Sequence, residues 1–142
     1  LGDTTFYGIE SELGLGEHDF LDLNNDGIED LLIHNGCGAR GSNLLYLAFL
    51  MDEHSNPTLI QNATDFPNLQ INTKGALISE FFHALVTVHY LNINGDKIET
   101  VSIVDYSHGF DLGVYKDSCH LKDNELVIIR RDTIDWCEFP YP

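Results

Sequence analysis

The chain has 142 residues, 43% of them apolar, with 23 acidic side chains against 7 basic ones and a formal charge of −16. That length points to one domain with a real core, and that apolar content excludes a disordered chain. The charge excludes nucleic acids and anionic membranes as partners and favours cations and basic proteins.

No apolar run reaches membrane-spanning length. The sequence opens on Leu1 without Met, as a mature or trimmed form does, and shows no signal peptide. The expected location, periplasmic or secreted, rests on the cysteines described below and not on this start.

Phe20 and Leu21 read as strand. They lead into Asp22-Leu23-Asn24-Asn25-Asp26-Gly27-Ile28-Glu29-Asp30, which places side-chain oxygens at Asp22, Asn24, Asp26 and Asp30. This is the first part of a D-x-[DN]-x-[DN]-G calcium loop. Alternate residues aim oxygens inward, and Gly27 takes a turn that a Cβ would obstruct. Ile28 offers its backbone carbonyl. Three carboxylates and an amide form a hard-oxygen set suited to Ca2+ and not to zinc. Position 12 counted from Asp22 is Ile33, so the bidentate Glu of an EF-hand is missing and Asp30 completes the set. A metal-free turn rich in Asp, Asn and Gly is the alternative.

Leu31-Leu32-Ile33 continues as a buried strand. A glycine-rich turn follows at Gly36 to Gly41, and Leu44 to Leu50 is a strongly apolar strand. Asp52 to Pro57 punctuates it as a turn, and Thr58-Leu59-Ile60 returns. Asn62-Ala63-Thr64 is a glycosylation sequon, meaningful only in a eukaryotic secretory protein. No convincing amphipathic helix occurs, and Ser79 to Val86 is the best candidate for a short one. Phe81 to Leu91 is rich in β-formers and meets the hairpin signal Asn94-Gly95-Asp96. Lys97 to Asp105 alternates as a half-buried strand should, and Glu125 to Arg131 supplies another. Short strands between turn signals predict an all-β fold in a single domain. An antiparallel sandwich or a propeller-blade-like sheet, carrying the calcium-binding turn, fits that pattern.

The seven histidines form no close zinc signature. On an unbroken strand His83 and His89 share a face, which suits cross-strand packing better than a metal. Asp105 to Asp111 gathers Ser107, His108 and Asp111, but catalytic triads join residues distant in sequence, and no G-x-S-x-G elbow is present. With 23 acids in the chain, pairs such as Glu10 and Glu12, or Asp132 and Asp135, arise by accident and do not mark a glycosidase. No enzyme is expected. The 105–113 stretch is polar and aromatic, a composition suited to partner contact or to a plain solvent loop.

Cysteines number three. Cys119 and Cys137 flank the strand from Glu125 to Arg131 and are expected to bond, leaving Cys37 free or linking two chains. A disulfide favours an oxidising compartment. Three reduced thiols in a cytosolic protein are the alternative.

The segment from Asp22 to Ile33 resembles the calcium loop of FG-GAP and VCBS-type repeats, in which such a turn joins two strands. About a dozen residues carry that match. The wider order of segments across residues 20–105 is similar to that of small periplasmic proteins of the i-type lysozyme-inhibitor-like group. It includes the Gly36–Gly41 turn, the aromatic strand from Tyr46 to Phe49, Lys74 to Ser79, and His89-Tyr90-Leu91 ahead of Asn94 to Lys97. Periplasmic immunity proteins against peptidoglycan-cutting toxins look alike at this level.

The resemblance implies a β-rich inhibitor that inserts a loop into a muramidase cleft. The Ser-Gly-x-x-Tyr loop of c-type inhibitors does not transfer, because Gly41-Ser42-Asn43-Leu44-Leu45-Tyr46 has Ser and Gly in the wrong order. The expected contacts are Arg40, Ser42 and Asn43 from the first turn, and Tyr106, Ser107, His108 and Phe110 from the later loop. The expected partner is a basic muramidase-like enzyme or toxin. An extracytoplasmic sensor or adhesion module with a structural calcium clip is the alternative.

Overall fold

The computed structural model describes residues 16–38, 43–83, 86–108, 114–122 and 125–134. These form ten strands: β1 (His18–Leu21), β2 (Asp30–Gly38), β3 (Asn43–Met51), β4 (Pro57–Leu59), β5 (Gln70–Ile71), β6 (Leu77–Phe82), β7 (Val86–Asn94), β8 (Lys97–His108), β9 (Val114–Lys122) and β10 (Glu125–Ile134). They build two antiparallel sheets. One has the order β1-β2-β3-β4, the other β10-β9-β8-β7-β6-β5. The described residues contain no α-helix, only a 3-10 turn at Ala63–Asp65. No helix among them is long and apolar enough to cross a membrane. The fold is thus an all-β sandwich, not a propeller blade.

Apolar alternation explains where the core sits. Leu32 on β2 and Ala48 on β3 are cross-strand partners, so both side chains point to one face of the first sheet. There they pack with Leu77, Leu91 and Ile98 of the second sheet and with Ile60, Ala63 and Leu69 from the segments between. A second cluster joins Ile78, Val86 and Val88, with Phe82, Tyr90, Val104 and Tyr106 packed against it.

Two asparagines brace the larger sheet, one from the first sheet and one from the connection between them. The Asn43 amide accepts from Phe82 N and donates to Phe82 O. The Asn62 amide does the same to Ile98. Asn62 is the sequon residue, and its amide nitrogen is engaged with the Ile98 carbonyl. Asn68, at φ 51°, bonds both Asn43 and the Glu80 carbonyl.

Several expectations are corrected. The Phe81–Leu91 stretch is two strands and not one, because β6 ends at Phe82 and antiparallel β7 starts at Val86. His83 therefore lies off the strand, exposed, and does not share a face with His89. Ser79, the first residue of the candidate helix, is instead buried in β6, where its hydroxyl donates to the Pro67 carbonyl. Gly36 to Gly38 belong to β2, where a register shift beside Asn35 and a φ of 124° at Gly36 mark a bulge. The 94–96 hairpin forms as expected, with Gly95 at φ 63° at its first central position.

The outermost hairpin of the larger sheet differs from the rest in charge. Lys116 and Lys122 lie on β9, and Arg130 and Arg131 on β10, which is four of the seven basic residues. Asp117, buried on β9, receives Nε and Nη2 of Arg131, whose guanidinium also stands 5.3 Å from the Tyr115 ring centroid.

Candidate functional site

The 22–30 loop joins β1 to β2, and its hydrogen bonds organise it around Asp22. Asp22 Oδ1 accepts from Asp26 N at 3.1 Å and Oδ2 from Gly27 N at 2.9 Å. Asn24 Oδ1 accepts from Asp26 N at 3.0 Å, and Asn24 Nδ2 donates to Asp26 Oδ2 at 2.8 Å. Asp26 Oδ1 accepts from Ile28 N at 2.8 Å. The chain closes this ring through left-handed residues, Asn25 at φ 59° and Gly27 at φ 87°. Asparagine and glycine tolerate that region best.

Asp30 differs from the other acids of the loop. It is fully buried, and its carboxylate accepts from Leu23 N at 2.9 Å and Met51 N at 2.8 Å. It thus ties the loop to the end of β3. Burial pushes its carboxyl above the usual range, the two backbone N–H groups pull it back, and the charges of Asp26 and Asp22 push it up again. No ion pair to Asp22, Asp26 or Asp30 forms among the described residues.

These residues fit a hard divalent cation in three respects: the donors are all oxygen, Gly27 makes the turn, and buried Asp30 feels the charges of Asp26 and Asp22 with no ion pair to any of the three among the described residues. Among the described residues, no three His, Cys, Asp or Glu side chains are gathered at metal-holding spacing. Asp22 and Asp30 are turned to backbone donors.

The expected partner contacts separate. Arg40, Ser42 and Phe110 lie outside the described residues. Asn43 starts β3, with its amide committed to Phe82. Tyr106, Ser107 and His108 belong to β8 and not to a loop, because β8 runs to His108. Tyr106 packs against the second core cluster, and its phenol is raised by burial and by the neighbouring Tyr90 and Glu80.

Cys37 is exposed and Cys119 buried, both as free thiols. Cys137, the partner expected for Cys119, lies outside the described residues. Burial, with the nearby acids Asp117 and Asp105, raises the Cys119 thiol.

Sequence reasoning missed a cleft of about 410 Å3 at one edge of the sandwich. It is lined by Asp19, Tyr46, Asn68, Gln70, Glu80 and Phe82, among others. These come from four strands and one connection, so no local pattern announces them. Tyr46 is raised by burial and by the Asp19 charge.

No protein-family model matches the chain, and no curated protein matches it. The fold is similar to that of a solved structure described as a Xanthomonas type IV secretion system related protein. The likeness has a TM-score of 0.62 at 17% identity and covers 80% of this chain. The chain spans 57% of the length of that protein, with which it shares an all-β fold.

Proposed function

We propose that this chain is an exported, calcium-binding protein that acts by binding and not by catalysis, blocking a lysozyme-like or other cell-wall-cutting enzyme as an immunity protein does. The observation that carries the reading is the charge of −16 on an all-β sandwich, which suits capture of a strongly basic muramidase. The inhibitor-like order of segments supports it. The likeness to a secretion-related protein supports an extracytoplasmic setting.

Asp22, Asn24, Asp26 and Asp30 would hold the calcium by side chains, and Ile28 by its carbonyl. The ion would supply positive charge to the buried carboxylate and so fix the loop between β1 and β2. The 36–43 and 105–113 segments, at the ends of β2, β3 and β8, are the proposed contacts.

The test is titration against basic muramidases and against the host's own wall-cutting toxins, read by binding and by lysis of cell walls. Inhibition at one-to-one stoichiometry, with association slowing as salt rises, is the expected result. Binding to none of them moves the reading to the sensor or adhesion module.

A further inference from the structure

We propose that the outer edge of β10 pairs antiparallel with β10 of a second copy of this chain, joining the two larger sheets across a two-fold axis. The proposal is independent of the inhibitor reading.

Among the described residues the sheets end on β1, β4, β5 and β10. The first three run for only four, three and two residues, and edges that short resist pairing. β10 runs for ten and has a strand, β9, on one side only. On it Val127, Ile128 and Ile129 are 43%, 51% and 68% exposed. Consecutive strand residues point to opposite faces, so this end of the sheet is bare on both. An edge of that length and composition is a template for another strand.

Charge selects the occupant. A second copy carries the same −16, which keeps the two bodies apart over most approaches. β9 and β10 together hold four bases against three acids, so here two copies meet with little repulsion.

The bulge sets the register. Against β9, Ile128 pairs with Cys119 and Arg130 with Ser118, so Ile129 is the extra residue. With Ile129 skipped in the same way, pairing about Val127 sets Val127 against its own copy, Leu126 against Ile128 and Glu125 against Arg130. Apolar positions then meet apolar ones, and both ends of the ladder bring opposite charges together. Arg130 engages Asp132 through Nε, which leaves its Nη groups to meet a carboxylate. Pairing about Ile128 would set Glu125 against Asp132, two like charges. So short a ladder buries less than a standard interface, and the dimer forms only at high concentration.

The test uses the full chain. Sedimentation over about a hundredfold range of concentration should show monomer passing to dimer. Raising salt from about 0.02 to about 0.2 M should strengthen the dimer several-fold, because screening removes the long-range repulsion of two acidic bodies. Capture of a basic partner has the opposite salt dependence. Val127→Lys sets two ammonium groups opposite each other and should weaken the dimer about tenfold. The melting curve of the dilute variant should not move, because Val127 is exposed. Hydrogen exchange should slow in β10 amides as concentration rises, and not in β1 or β4. A monomer at every concentration, a dimer that Val127→Lys leaves intact, or protection at β1 or β4 instead of β10 overturns the proposal.

Discussion

The side chain of Asn43 behaves toward Phe82 as a neighbouring strand would. Its Oδ1 accepts from Phe82 N at 2.8 Å and its Nδ2 donates to Phe82 O at 3.2 Å. Asn62 repeats the arrangement on Ile98 at 2.8 and 2.9 Å. Each amide satisfies a backbone donor and acceptor that the sheets alone leave open. Asn43→Ala or Asn62→Ala should therefore destabilise the fold by about 2 kcal/mol, since two partly buried groups lose their partners. Urea unfolding measures this. A midpoint shift no larger than that of the exposed Asn92→Ala would show that water replaces the amide at no cost.

Calcium should raise the melting temperature by binding only the native state, and Asp26→Ala should abolish the rise. Asp30 gives the pH dependence its sign. Its folded-state pKa is raised, so its contribution is fully present below the unfolded value of 3.8 and is lost as pH rises through the folded value. Without metal, ionised Asp30 is a liability near neutrality, and the metal offsets it. The calcium-induced rise should accordingly grow with pH across that window. A chelator that leaves the melting curve unmoved at neutral pH reduces the loop to a turn.

His89 carries the opposite sign. Its ring lies 4.5 Å from the Phe81 centroid and 6.5 Å from that of Phe66, and burial lowers its pKa from 6.5 while Asp105 partly opposes the shift. Protons then bind the unfolded chain first. Stability should fall as pH drops below about 6.5 and on through the folded-state value. His89→Gln should flatten that part of the profile, measured by urea midpoints at successive pH values. An unaltered acid slope in the variant would assign the effect to other groups.

Alkylation should separate the thiols. Exposed Cys37 should react with iodoacetamide in the native protein, and buried Cys119 only after unfolding. Mass mapping reads both, and rapid labelling of Cys119 under native conditions would contradict its burial.

Much of the sandwich was legible because its strands obey simple patterns. The β3 apolar run, the alternation of β8 and the glycine of the 94–97 hairpin are local signals. β6 is not, since Ser79 and Glu80 are buried polar residues that erase its alternation, the Ser79 hydroxyl being satisfied by the distant Pro67 carbonyl. β9 reads as polar because its inward residue, Asp117, is neutralised by Arg131 from the following strand. The 22–30 loop was visible for the opposite reason, as its donors lie within nine consecutive positions. The edge cleft was invisible because Asp19, Tyr46 and Glu80 meet only after three strands have been placed.

The β9–β10 hairpin gathers Lys116, Lys122, Arg130 and Arg131, yet its two strands also hold Asp117, Glu125 and Asp132, four bases against three acids. Arg130 pairs with Asp132 and Arg131 with Asp117, so the hairpin largely neutralises itself. The excess negative charge of the chain therefore lies outside those two strands. A cation approaching the protein is drawn to the remainder of the surface and meets little pull at the hairpin, and that difference fades within about 10 Å at 0.1 M salt.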